Sequence, residues 1–179
     1  MKTYGRDALL GFLTEIDRLL EKPADMEIIG GAAALLVYGA TSPTKDIDSF
    51  LPIPDEILRA AAEVRRRIPL DRATVADPPW NYEDRRLLVD LPFHSLSIWV
   101  PERHDLLLMK SIRSSRHDDE VIQEMHQVQP FDLETIVHRW NEEISQAIGD
   151  HRILDQKIQL IIGKLFGDPA MSRIKLKQK

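Results

Sequence analysis

A mixed α/β fold of the α+β kind is predicted by three observations. Short apolar runs of strand length recur in the first half of the chain, segments with helical spacing lie between them, and from about Pro101 onward only the helical period remains. Residues 1–100 therefore read as a small mixed sheet of four or five strands with helices on one side. Residues 101–179 read as a helical C-terminal part on that core.

Each element has its own signal. Leu9, Leu10, Leu13, Ile16, Leu19 and Leu20 mark an amphipathic helix over residues 6–21, closed by Pro23. Met26 to Ile29 is a buried strand running into Gly30-Gly31. The Ala- and Leu-rich stretch Ala32 to Tyr38 is a helix stopped by Gly39. Asp46 to Leu51 reads as a strand bounded by Pro52 and Pro54, and Asp55 opens a helix running to about Arg67. Residues 71–76, 87–91 and 96–100 read as strands, and Asp77-Pro78-Pro79-Trp80-Asn81 as irregular chain. A helix around Leu106 to Ile112 follows, then three more over residues 118–127, 132–147 and 150–165.

Composition bounds the function. The 179 residues suffice for a real core, and 43% hydrophobic with 30% charged content is ordinary for a soluble globular chain. No cysteine is present, which removes disulfides, thiolate metal sites and a cysteine nucleophile. The net charge of −5 argues against a protein that coats nucleic acid. Arg65-Arg66-Arg67 reads as the cationic end of a helix, and Arg173 to Lys179 as a frayed, solvated tail. The N-terminus lacks a signal-peptide pattern, and the run from Ile28 to Val37 is too short to span a bilayer; a cytoplasmic protein is expected.

The chemistry concentrates between Met26 and Leu51. A strand ends in two glycines, a short helix follows, and a loop leads to a strand opening with Asp46-Ile47-Asp48. Glycine lets the backbone approach a ligand closely, and the helix start presents N–H groups and a positive dipole end to a phosphate. Residues two apart on a strand share a face, so Asp46 and Asp48 stand together while Ile47 points into the core. Two such carboxylates repel unless a cation neutralises them. Mg²⁺ suits the task, because it takes a few carboxylates, waters and substrate phosphates in place of a full protein cage. The combination suits nucleotidyl transfer.

The stretch from Gly30-Gly31-Ala32-Ala33-Ala34-Leu35 through Thr44-Lys45-Asp46-Ile47-Asp48 resembles the signature of the nucleotidyltransferase superfamily. Within that superfamily it looks most like the bacterial AbiEii-type toxins and related nucleotidyltransferase-like proteins. Leu107-Leu108-Met109-Lys110 followed by Arg113, Arg116 and Asp118 extends the likeness, which covers residues 26–125.

The resemblance implies that Gly30, Gly31, Thr44, Lys110 and Arg116 bind the nucleotide and its phosphates. It implies that Asp46 and Asp48 hold Mg²⁺ or Mn²⁺. Asp90 is the candidate third carboxylate, as metal ligand or general base, with Glu83 and Asp84 as alternatives. The substrate would be a nucleoside triphosphate. The acceptor would be a tRNA 3′ end, a protein hydroxyl or a small molecule, and the biological role the toxin of a toxin–antitoxin pair, with a cognate antitoxin as partner. Gly31 stands where many members carry serine, and Val121 where the second motif often continues to aspartate.

Other readings compete. The fold could serve as a non-catalytic nucleotide- or partner-binding module, separated from the enzyme by whether a third carboxylate reaches Asp46 and Asp48. Asp77-Pro78-Pro79-Trp80 looks like the catalytic tetrapeptide of adenine N6-methyltransferases, yet no glycine-rich methyl-donor loop accompanies it. It reads as a proline-rigidified loop, with Trp80 packed or stacked on a base. No histidine pair has the i, i+4 spacing of a zinc helix, and neither Gly-x-Ser-x-Gly nor a Walker loop occurs.

Overall fold

The computed structural model describes residues 2–73, 77–113, 115–144 and 149–176. They form two compact units. The first holds residues up to 73 together with Arg86–Pro101; the second holds residues 77–85 and what is described from Glu102 on.

In the first unit, helix α1 (Arg6–Leu19) buries Leu9, Phe12, Leu13 and Ile16, the one-sided stripe its periodicity calls for. It stops two residues before the expected end, because Leu20 is already extended. Strand β1 (Ala24–Glu27) is followed by helix α2 (Gly30–Val37), β2 (Ile47–Ser49), α3 (Asp55–Glu63), β3 (Leu70–Arg72), β4 (Leu87–Leu88) and β5 (Leu96–Val100). β5 pairs parallel with β1 and antiparallel with β4, while β2 pairs parallel with β3. One antiparallel bridge, Ile29 to Asp48, links the two sheets. The expected mixed sheet of about five strands is thus present as a three-stranded and a two-stranded piece. Ala32, Ala33, Ala34 and Leu35 of α2 are all buried, so this helix runs through the core of the unit.

Local differences have local reasons. α2 starts at Gly30, earlier than Ala32, because the first glycine turns directly into the helix. α3 ends at Glu63, since Val64 is extended. Arg65–Arg67 therefore lie past the helix rather than in its last turn, although Arg67 still reaches back to the Ala62 carbonyl. β2 is shorter than the expected 46–51 and β4 shorter than 87–91. The strand expected over 71–76 is realised as Leu70–Arg72; residues 74–76 lie outside the described set.

The second unit is helical: α4 (Arg103–Arg113), α5 (Arg116–Val128), α6 (Leu133–Glu143) and α7 (His151–Phe166), followed by a 3₁₀ turn (Asp168–Arg173). α4 is its centre, contacts each of the other three helices, and is buried from Asp105 to Ile112. α5 starts with a reciprocal capping box between Ser115 and Asp118. Asp132 and Asp150 cap α6 and α7. The last residues expected in the helix over 132–147 fall among residues 145–148, outside the described set. The C-terminal segment is less loose than expected at its start: Arg173 is ion-paired with Glu134 at 2.6 Å.

Residues 77–85 belong to the helical unit, a departure from the expected division at residue 100. Arg85 grips buried Asp105 through two guanidinium nitrogens, at 2.8 and 3.0 Å, and also pairs with Glu143. The Trp80 N–H donates to the Glu143 carbonyl. Trp80 is 58% exposed, so of the two readings the sequence leaves open, packed or stacked on a base, it is not packed in the core. Among the described residues no helix is long and apolar enough to cross a membrane.

Candidate functional site

The glycine turn and the Asp46-x-Asp48 strand meet in the first unit. Beyond β1 the Ile28 N–H donates to Trp99 O, and the next N–H, of Ile29, donates to Asp48 O at 2.8 Å. This bond holds the start of α2 against β2. Gly30 has φ +67°, a conformation that other residues adopt only with strain. A Cβ there would lie 3.3 Å from Asp48 Oδ2. The carboxylate therefore stands directly against the first residue of the helix.

The N–H groups opening α2 precede its first internal bond, from Ala33 to the Ile29 carbonyl, and make the positive end of the helix dipole. Gly31 is required for a different reason. A Cβ on it would come 2.9 Å from Thr44 Oγ1 and 3.2 Å from Thr44 Cβ. The Thr44 side chain occupies the space that a side chain at position 31 would need.

Asp46 precedes β2 rather than opening it. The alternation survives: Asp46 and Asp48 are half-buried, while Ile47 and Ser49 are buried at 0% and 1% exposure. Both ends of this segment are tied down. On one side the Thr44 hydroxyl lies 3.2 Å from the Asp46 carbonyl oxygen and 3.5 Å from its Oδ1. On the other, the buried Glu27 carboxylate accepts the N–H groups of Phe50 and Leu51, at 3.3 and 3.2 Å, with the Arg86 guanidinium 3.8 Å away.

The remaining expected residues lie on other elements. Asp90 lies beyond β4, next to Val89, whose N–H donates to Ile98 O. Ile98 pairs with Met26, so Asp90 is level with Asp25, four residues back from Ile29. At ~3.3 Å per strand residue that is about 13 Å along the sheet. The structure does not bring Asp90 to the pair. Glu83 and Asp84 belong to the second unit, in its short 3₁₀ turn. So does Lys110, which is 3% exposed and paired with Asp118 at 3.0 Å. Arg113 also bonds Asp118, and these partners, against the opposing effect of burial, hold that carboxyl well below the usual range. Arg116 projects into solvent beside Glu120.

Nothing in the sequence singles out Asp71. It is the register partner of Asp48 on the parallel neighbour β3, so the two side chains share a face on adjacent strands. Its segment has a strand signal, but nothing in one sequence states which residue stands opposite which. Among the described residues no three His, Asp or Glu side chains gather closely enough to cage a metal. Asp46 and Asp48 offer hard oxygen donors two residues apart, and a cation held there would complete its coordination sphere with water and phosphate. That donor set fits Mg²⁺ or Mn²⁺.

Residues 7–160 match a family model described as nucleotidyltransferase of unknown function (DUF6036). No curated protein and no solved structure matches the chain.

Proposed function

Because the chain belongs to this nucleotidyltransferase family, we propose that it transfers a nucleotidyl group from a nucleoside triphosphate with the help of a divalent cation held by Asp46 and Asp48. The observation that supports the reading is the contact of Asp48 with the Gly30 turn, a carboxylate against the first residue of an eight-residue helix. Gly30 and Gly31 would receive the triphosphate through backbone N–H groups, favoured by the positive end of the α2 dipole. Asp46 and Asp48 would hold the cation, which would supply neutralisation of phosphate charge while the acceptor hydroxyl displaces pyrophosphate in line from the α-phosphorus.

Asp71 takes the place expected of Asp90, as the third carboxylate, beside Asp48, that accepts the proton of the attacking hydroxyl. The acceptor (a tRNA 3′ end, a protein hydroxyl or a small molecule) and the role of an AbiEii-like toxin with a cognate antitoxin rest on the likeness of the Gly30-to-Asp48 motif.

Calorimetric titration of each nucleoside triphosphate, with Mg²⁺ and then with EDTA, tests the reading. Binding that needs Mg²⁺ and is lost in Asp46→Ala/Asp48→Ala is expected. A folded protein that binds no nucleoside triphosphate would favour the non-catalytic module. Labelled-nucleotide transfer to tRNA, protein and small-molecule acceptors then separates the acceptors, with Asp71→Asn and Asp90→Asn compared side by side.

A further inference from the structure

The segment leading into Asp46 is held by the N-terminal end of the chain. Tyr4 and Thr44 form a two-way antiparallel bridge: the Tyr4 N–H donates to Thr44 O at 2.7 Å, and the Thr44 N–H donates to Tyr4 O at 3.0 Å. Tyr4 is itself anchored, 7% exposed, with its hydroxyl donating to the Arg67 carbonyl. Thr44 then acts in two directions. Its hydroxyl bonds the Asp46 carbonyl and stands within 3.5 Å of the Asp46 carboxylate. Its side chain fills the notch left by Gly31. A residue that only closed a loop would need neither the buried hydroxyl nor the fit against the glycine turn.

We propose that Thr44, strapped by Tyr4, is a positioning residue that sets the place of the Asp46 carboxylate relative to the Gly30-Gly31 turn, and so sets the affinity for the divalent cation. The inference rests on the site reading above for the cation, but the placement of Asp46 is measurable without it. A bifurcated hydroxyl bond of this kind contributes about tenfold in an equilibrium when it is removed without replacement. Threonine to valine keeps the shape and removes the hydroxyl; threonine to serine keeps the hydroxyl.

The test uses the 179-residue chain and Mn²⁺ alone, followed by electron paramagnetic resonance, together with amide hydrogen exchange at Asp46 and Ile47. Thr44→Val is expected to weaken Mn²⁺ binding about tenfold and to speed exchange at these two amides. Thr44→Ser is expected to restore both. Removing residues 1–5 is expected to reproduce the valine phenotype, whereas Tyr4→Phe, which keeps the backbone bridge, changes Mn²⁺ binding little.

Wild-type binding of Mn²⁺ that is lost in Asp46→Ala/Asp48→Ala, with Thr44→Val binding as tightly as wild type, would overturn the proposal and leave the site reading standing. If wild type binds no Mn²⁺, the site reading fails, and the exchange data decide the positioning role. Unchanged exchange in Thr44→Val would then overturn that role as well. Equal weakening by serine and valine would also overturn it, since the hydroxyl would not be what matters.

Discussion

Asp48 closes on Gly30 from two sides: its carbonyl oxygen accepts the N–H of the preceding Ile29, and its carboxylate lies 3.3 Å from where a Gly30 Cβ would stand. The turn and the strand are therefore one unit. A side chain at position 30 meets a left-handed backbone and a charged neighbour together. Gly30→Ala is expected to lose about 1–2 kcal/mol of stability from the backbone alone. It is expected to lose Mg²⁺-dependent nucleotide binding as well, read by urea unfolding and calorimetry. Full stability and full binding in this variant would show that the contact is unimportant.

Gly31 makes a separate prediction, because its restriction is spatial and its φ is not in the positive range. Gly31→Ala sets a Cβ 2.9 Å from Thr44 Oγ1 and is expected to lower the unfolding midpoint. Thr44→Ala in the same chain removes the opposing atom. The double variant should be more stable than the sum of the two single losses predicts. Strict additivity in a double-mutant cycle would contradict this packing of Thr44 against the glycine.

Asp17 gives a pH signature. Burial alone raises its carboxyl pKa, but the N–H groups of His94, Ser95 and Leu96 donate to it and outweigh that effect, holding it below the usual aspartate range. A carboxyl depressed by folding contributes stability that is complete above the unfolded value of about 3.9 and is lost as pH falls through the folded value. Asp17→Asn is expected to be less stable at neutral pH by about 1–3 kcal/mol. Its gap from wild type should narrow below about pH 4, measured by denaturant unfolding across pH. A constant gap would mean that the charge of Asp17 is not what its three donors require.

Lys110 separates a structural role from a ligand role. Its ammonium is buried against Asp118, which the capping box of α5 also uses. Lys110→Met is expected to cost about 3 kcal/mol, because it removes one partner from a buried charged network. The loss would be seen as a lower unfolding midpoint in the absence of nucleotide. A Lys110→Met protein of unchanged stability that bound nucleotide poorly would return Lys110 to the phosphate role suggested by the motif.

The parts of the candidate site that lie close together in the chain are legible in the sequence as local elements. Gly30-Gly31, the small-residue helix and Asp46-x-Asp48 can be placed because local periodicity fixes faces: a strand alternates, and a helix starts where a glycine turn frees its N–H groups. The helices of the second half are legible for the same reason, to within a turn at their ends.

Partners distant in sequence are another matter. Asp71 faces Asp48, and Asp90 sits well back along the sheet, because register between non-adjacent strands follows from packing of whole faces and leaves no mark on either strand's own pattern. Residues 77–85 join the helical unit because Arg85 must satisfy Asp105, 20 residues away, in a buried environment where an unpaired charge is costly. Local pattern thus dictates which elements form and which of their residues alternate between buried and half-buried. The closed chain dictates which carboxylate neighbours Asp48 and which basic residues are already held by an ion pair, since those depend on contacts between segments far apart in sequence.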